Sequence, residues 1–129
     1  MRACAALLLL AAVSCAGGSA GNVRLTPEEE RILRPLGDPP DAVRRLVADG
    51  DQKFLEGIPP FRRSDPETGA DWQRDVKVAL ECYTRARESY LAAQGKYLPG
   101  PVPPPLLDRG NECVARIAVL LKRQRAASR

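Results

Sequence analysis

The chain has 129 residues, of which 44% are hydrophobic and 28% charged, with a formal net charge of +4 and no histidine. This composition is typical of one globular domain and too apolar for a wholly disordered chain. The lack of histidine excludes imidazole bases and His metal ligands, and six aromatic residues beside a modest charge argue against nucleic-acid binding, so we expect no enzyme and no cofactor.

The first residues have the layout of an export signal. A basic start at Met1 and Arg2 precedes an apolar run over residues 3–13, and small residues follow. Such a run is typical of a signal peptide and is well short of the roughly 20 residues that a transmembrane helix needs. We therefore predict a signal peptide over residues 1–14 and no integral membrane span after it.

The signal ends in the motif Ala-Val-Ser-Cys at positions 12–15. This motif resembles the lipobox of bacterial lipoproteins, in which the cysteine is acylated and becomes the first mature residue. The resemblance implies acylation of Cys15, a lipidated flexible tether over residues 15–25, and an anchor on the periplasmic side of the cell membrane or outer membrane. If the sorting rule of that family applies, the resemblance also implies the outer membrane, because Ala16 and not an aspartate follows the cysteine. The alternative is cleavage after Ala20, which predicts a soluble secreted protein.

A short helix should open the mature domain. Thr26, Pro27 and Glu29 supply a hydroxyl cap, a proline at the first helical position and an acid at the third. Together they form a capping box. Pro35 and Gly37 are expected to end this helix.

A longer helix and then a loop should follow. Residues 38–41 again combine acids with prolines, and the helix after them carries one apolar or small face: Val43, Leu46, Val47, Gly50 and Phe54. We expect this helix to end near Gly57, because residues 57–71 show neither a helical nor a strand period and include Pro59 and Pro60. A loop of this length is often functional.

Two further helices should complete the domain. Apolar residues recur at helical spacing between residues 72 and 94, before Gly95. The proline-rich residues 99–105 predict a stiff connector. The last helix has one apolar face, made of Leu106, Gly110, Cys113, Val114, Ile117, Leu120 and Leu121. The sequence thus predicts an all-α fold, a small bundle of three main helices plus a short N-terminal helix, over residues 26–122.

Residues 123–129 are expected to form a basic C-terminal tail. From Arg109 onward the chain carries five arginines and one lysine against the single acid Glu112. Such an end either touches anionic lipid headgroups or is a solvated helix terminus whose cations complement the helix dipole.

Cys82 and Cys113 are candidates for a disulfide. They lie on the two most regular predicted helices, and an exported protein allows such a bond. Closing a loop of about 30 residues would stabilise the fold by roughly 3–4 kcal/mol. The alternative is a pair of buried reduced thiols, which behave as small apolar side chains.

Residues 79–86 (Ala-Leu-Glu-Cys-Tyr-Thr-Arg-Ala) resemble the second helix of a tetratricopeptide repeat, and Gly50 and Gly57 resemble small positions of the helix before it. The resemblance implies a helical hairpin that serves as an interaction scaffold. The segment between Gly57 and Ala79 departs from the repeat as an insertion, and no second copy is visible. A coincidental amphipathic helix is the alternative.

Five side chains are candidates for partner binding. Phe61, Arg62 and Arg63 lie in the predicted loop and are of types enriched at interfaces, although Phe61 could instead pack over the core. Tyr83 and Tyr90, seven residues apart, either line a peptide groove or are core tyrosines with hydroxyls at the rim.

The function that we expect from these features is a membrane-anchored, non-enzymatic interaction or assembly module of the cell envelope. Its partners would be the membrane, through the acyl groups, and an envelope protein, but no nucleic acid. The alternative is a passive structural component of an envelope complex.

Overall fold

The computed structural model describes residues 23–127. They form four helices, α1 (Pro27–Ile32), α2 (Asp41–Arg63), α3 (Trp72–Gly95) and α4 (Pro104–Ala127), and no strand occurs within this range. The predicted all-α bundle of three main helices and a short first helix is confirmed. The predicted signal peptide, Cys15 and most of the tether lie outside the described residues.

The capping box that was predicted for α1 is present. The Glu29 N–H donates to the Thr26 hydroxyl at 3.1 Å, and the Thr26 N–H donates to Glu29 Oε1 at 2.9 Å. Pro27 occupies the first turn, where a missing N–H leaves no hydrogen bond unmade. These contacts fix the start of α1 and hold the buried Glu29 carboxylate against the bundle.

The predicted end of the second helix at Gly57 is wrong, because α2 continues through Pro59 and Pro60 to Arg63. Each proline removes one helical hydrogen bond and disfavours a helix interior. Ile58 and Pro60 are nevertheless buried, so packing outweighs the local preference here. The connection to α3 is therefore only residues 64–71, not a loop from residue 57.

The helix predicted to end at residue 122 extends to Ala127. Arg123, expected in a basic tail, is instead half-buried and held against the end of α2. Its guanidinium donates to the Phe61 carbonyl at 3.4 Å and to the Ser64 hydroxyl. This tertiary contact keeps the last turns of α4 ordered.

The central helix of the bundle is α3. It packs along α2 on one flank and along α4 on the other, whereas α2 and α4 meet over a small area and α1 lies against α4. The α2–α3 pair is antiparallel, with Gly50 opposite Tyr90 and Gly57 opposite Tyr83. A Cβ atom at Gly50 would lie 2.5 Å from Tyr90 Cε1, so the glycine allows the ring to pack on the α2 backbone.

A single apolar core fills the space between the helices. All four contribute to it, with α3 supplying the largest share. The fully buried side chains of the core include Phe54, Ile58, Ala79, Tyr83, Ala86, Tyr90, Ala93, Leu106, Cys113 and Leu120.

Candidate functional site

Three arginines line the inner edge of α4. Arg109, Arg116 and Arg123 are seven residues apart, so they lie on the same side of the helix. Arg109 and Arg116 are buried. Each arginine has a polar partner on or beside α1 or α2, and each therefore marks a point where α4 is joined to the rest of the bundle.

Arg116 is the centre of the middle cluster. Its guanidinium lies 2.9 Å from Glu29 Oε2 and 2.8 Å from Glu112 Oε2, and it donates to the Tyr83 hydroxyl at 2.9 Å. We call Glu29, Tyr83, Glu112 and Arg116 the central polar cluster. It joins α1, α3 and α4 in one network of charge-assisted hydrogen bonds, which are stronger than neutral ones.

Aromatic rings surround the same guanidinium. It lies 5.1 Å from the centroid of the Phe54 ring and 4.7 Å from that of Phe61, within the range of cation–π attraction. The Phe61 ring also packs edge-to-face on Tyr83, with 5.8 Å between the centroids. The prediction that a loop presents Phe61 is therefore wrong, since Phe61 is half-buried on α2 and packs over the core.

The other two members of that predicted loop site are also on α2. Arg62 lies 2.8 Å from Glu29 Oε1, and Arg63 lies 3.4 Å from Asp75 Oδ1. Both arginines remain partly exposed, at 42% and 57% of their side chains. Their proposed role in binding a partner stays a prediction, but they do not lie on a free loop.

Both oxygens of Glu29 are occupied. Burial of Glu29 opposes ionisation, but hydrogen bonds from the Thr26 backbone and from Arg116, together with the charges of Arg116 and Arg62, hold the pKa of Glu29 below its usual value of 4.5. The carboxylate is thus charged at neutral pH. It acts as a fixed ionic contact and not as a group that exchanges protons there.

Glu29 should make the fold sensitive to acid. Because its pKa is lowered by folding, its contribution to stability is present above pH 4.5 and is lost as the pH falls through the folded-state pKa. We expect Glu29→Gln to be less stable than wild type at neutral pH, with the difference shrinking below pH 4.5. Urea unfolding of both proteins at about pH 7 and about pH 3 measures this. A difference that is the same at both pH values would contradict it.

A second cluster joins the end of α1 to α2 and α4. Arg109 lies 2.8 Å from Asp51 Oδ1 and donates to the carbonyls of Leu33 and Arg34 at 3.0 and 2.9 Å. The Tyr90 hydroxyl donates to the same Asp51 oxygen at 2.6 Å. Carbonyls at a helix end lack partners within the helix, so the Arg109 cation satisfies the end of α1 and interacts favourably with its dipole.

Tyr83 and Tyr90 do not line a peptide groove. Both are fully buried, and each points its hydroxyl at a charged partner, Arg116 or Asp51. Burial raises the pKa of both tyrosines above its usual range, and for Tyr90 the Asp51 carboxylate adds to this. They are neutral core residues, as the alternative interpretation had it.

The buried polar groups of these clusters are satisfied within the protein. Among residues 23–127, no buried side-chain nitrogen or oxygen lacks a hydrogen-bond partner. Within the same range, no group of three or more cysteines and acids could hold a metal ion. Their chemistry is therefore that of internal contacts, which position α1 and α4 on the α2–α3 hairpin.

The predicted disulfide between Cys82 and Cys113 is absent, and both residues are free thiols. Cys82 lies on the flank of α3 that faces α2, since a Cβ atom at Gly57 would be 3.0 Å from Cys82 Cβ. Cys113 is buried on α4, which packs on the other flank of α3. Burial raises the pKa of Cys82, and that of Cys113 to about 12, so neither is a reactive thiolate at neutral pH.

The predicted apolar face of α4 is divided into two in the structure. Leu106, Cys113 and Leu120 enter the core, whereas Val114 and Leu121 are 49% and 39% exposed. The exposed positions form a continuous surface, the α4 outer face, which consists of Leu107, Asn111, Val114, Ala118 and Leu121.

An open groove continues this surface towards α3. It is lined by Leu80 and Thr84 of α3 and by Ile117 and Leu121 of α4, with charged residues of both signs at its rim: Glu81, Arg85 and Glu88. Contiguous exposed apolar surface of this kind is typical of a protein or membrane contact. The groove and the α4 outer face are thus the best candidate site for interaction.

The pairing of the buried arginines Arg109 and Arg116 could not be predicted from the sequence, for a physical reason. Glu29 is 87 residues from Arg116 in sequence, and Asp51 is 58 residues from Arg109. Nothing local in the sequence indicates these two pairs. The available signal was the repeat of arginine every seven residues on α4. On a helix with an apolar face, that spacing places the three cations on one side.

Comparisons with protein-family models, with curated proteins and with solved structures give no match. Within the described range, no helix combines the length and hydropathy needed to cross a membrane.

Proposed function

We propose that the chain is an exported bacterial lipoprotein, anchored through Cys15 on the periplasmic side of the cell membrane or outer membrane. Its helical body is a non-enzymatic protein-interaction module of the envelope. The anchor is supported by the order of the N-terminal features, which is a basic start, an apolar run and a lipobox-like motif. Several acyl chains would hold the body at the membrane, because a single chain binds only reversibly.

The observation that carries the interaction role is the uncharged surface of α4. Leu107, Val114 and Leu121 are each 39–49% exposed and lie on one side of the helix. The charged residues of the same stretch turn towards α1 and the interior, as the contacts of Asp108, Arg109 and Arg116 illustrate. A helix whose charged residues turn inward while an uncharged side stays exposed is typical of one that is covered by another macromolecule.

Acylation is tested by replacing Cys15 with serine. We expect wild-type protein in bacterial cells to incorporate labelled palmitate and to fractionate with membranes, and the Cys15→Ser variant to do neither, because serine lacks the thiol that is acylated. The matched control is Cys4→Ser, which changes a cysteine within the predicted signal peptide and should preserve labelling.

Two results would contradict the anchor. One is unlabelled wild-type protein in the soluble periplasmic or secreted fraction, with an N-terminus at Gly21, which would establish cleavage after Ala20. The other is full-length, unprocessed protein in the cytosol, which would also remove the envelope role.

A further inference from the structure

We propose that the α4 outer face binds the same face of a second copy of this chain, with the two α4 helices antiparallel about a two-fold axis at Val114. The proposal rests on the interaction role proposed above, for which it names the partner, but not on the lipid anchor. Four lines of observation support it: the charge distribution on α4, the spacing of its exposed residues, the charges beside the surface and the position of the chain start.

The charges of α4 are concentrated on one side. Between Leu107 and Leu121 the charged residues are Asp108, Arg109, Glu112 and Arg116. Asp108 lies 3.0 Å from Arg34, beside α1, and the other three belong to the polar clusters. The outer side therefore carries no charge over four turns of helix, and only an apolar partner matches a surface of this kind.

The spacing of the outer residues is that of a helix-pairing seam. Positions 107, 111, 114, 118 and 121 alternate by four and three residues, and the larger apolar residues fall every seventh position. This is the heptad pattern with which one helix packs along another. The smaller Ala118 and Asn111 between the larger residues allow the two backbones to approach, and an asparagine within such a seam favours one register.

The large apolar residues of the seam, Leu107, Val114 and Leu121, are spaced symmetrically about Val114. Such symmetry is the condition for a two-fold interface in which the same patch contacts itself. An antiparallel partner centred there places Leu107 of one copy opposite Leu121 of the other. Exposed Lys122 then comes near Asp108 of the second copy, on the flank next to α1 in both molecules. The two Lys122 side chains stay about 24 Å apart, since each is eight residues from the axis.

The two-fold arrangement also places the starts of the two described chains on the same side of the dimer. A two-fold axis perpendicular to the plane of the two α4 helices keeps the α1 side of both copies on one side of the dimer. The described chain begins on that side, because the Arg24 carbonyl accepts a hydrogen bond from Arg62, which also contacts Glu29 of α1. Two copies anchored in one membrane could therefore pair without twisting their N-terminal segments.

An anionic lipid surface fits the α4 outer face less well. The charged residues that flank it are of both signs and paired, for example Asp108 with Arg34 on the α1 side and Glu81 with Arg85 across the groove. Helices that lie on membranes have flanks rich in lysine and arginine instead. Lys122 and Arg125 are basic, but they lie at one end of the surface and not along it.

The register is tested by cysteine crosslinking of the full-length chain in intact bacterial cells. We expect Val114→Cys to form a disulfide-linked dimer, seen as a doubled mass on a non-reducing gel, because both copies of residue 114 meet at the axis. Leu107→Cys and Leu121→Cys should each stay monomeric alone and crosslink to one another when expressed together. The control Ala92→Cys, exposed on α3, should stay monomeric.

The same cells separate this proposal from the anchor. Palmitate labelling without a Val114→Cys crosslink would overturn self-association and leave the anchor standing. A crosslink without labelling would support self-association and contradict the anchor. Self-crosslinking of Leu107→Cys alone would contradict the antiparallel register.

A second measurement avoids engineered thiols. Ala118→Glu places a carboxylate on the seam of each copy and should convert the detergent-extracted protein from dimer to monomer in sedimentation, whereas Ala92→Glu should remain a dimer. Both positions are exposed, so the fold should be retained, and circular dichroism checks this. A monomeric wild-type protein, with or without binding to anionic vesicles, would overturn the proposal.

Discussion

Replacing Arg116 with methionine should lower the free energy of unfolding by about 3–5 kcal/mol, the range for removing one member of a buried ion pair. Methionine keeps much of the apolar length of the side chain. The loss would come from the buried Glu29 carboxylate, which keeps only the more exposed Arg62 as a cationic partner, and from the Tyr83 hydroxyl, which loses its guanidinium donor. Urea unfolding followed by circular dichroism measures the change.

The matched control is Arg85→Met, on the exposed side of α3. Arg85 also has a carboxylate partner, Glu81 at 3.2 Å, but both side chains are at least 60% exposed. Such a helical surface pair contributes only about 0.3–0.5 kcal/mol. If the two variants lost similar stability, burial of the central polar cluster would not be the source of the effect.

A second variant checks the mechanism. Combining Arg116→Met with Glu29→Gln removes the buried charge that Arg116 no longer neutralises, so the double variant should lose less stability than the two single losses added together. Additive losses would mean that Arg116 acts mainly through its contacts with the rings of Phe54 and Phe61.

Local signals in the sequence were sufficient to place some of the helix boundaries. The capping box at Thr26 and Glu29 has the predicted hydrogen bonds, and α3 ends at the predicted Gly95. These features act over three or four residues, so they are visible without knowing the fold. The same is true of the all-α class, which follows from helical periodicity along the whole domain.

The end of α2 could not be predicted in the same way. Pro59 and Pro60 are strong local signals against a helix, yet the helix continues because Ile58, Pro60 and Phe61 pack on the core. That packing depends on Tyr83 of α3 and on Arg116 of α4. A prediction from local sequence has no access to such partners, so the loop and the site assigned to it were misplaced together.

The α4 outer face could not be predicted from the sequence, for another reason. Periodicity showed that α4 is amphipathic, but it grouped Val114 and Leu121 with the core positions Cys113 and Leu120. Neighbouring residues on a helix point about 100° apart, so a broad apolar stripe fits one wide buried face or two narrow ones. In α4 the arrangement with two narrow faces forms. The buried arginines occupy the part of the buried side that one wide apolar face would fill.

Gly50 should tolerate substitution poorly, and we expect Gly50→Ala to lower the free energy of unfolding by about 1–3 kcal/mol, as overpacking typically does. The added Cβ would lie 2.5 Å from Tyr90 Cε1. The ring cannot simply move aside, since it is fully buried and its hydroxyl is bound to Asp51. The clash must therefore push α2 away from α3.

The matched control for this variant is Gly95→Ala, at the end of α3. No atom lies within 4 Å of an added Cβ there, and Gly95, like Gly50, is helical. Alanine favours a helix over glycine by up to about 1 kcal/mol, so Gly95→Ala should be neutral or stabilising. Gly50→Ala gains the same helix propensity, so its measured loss in free energy of unfolding is smaller than the cost of the clash. The difference in free energy of unfolding between Gly95→Ala and Gly50→Ala therefore measures the cost of the clash. A stability for Gly50→Ala equal to that of Gly95→Ala would show that α2 and α3 do not approach as closely as the Gly50–Tyr90 contact requires.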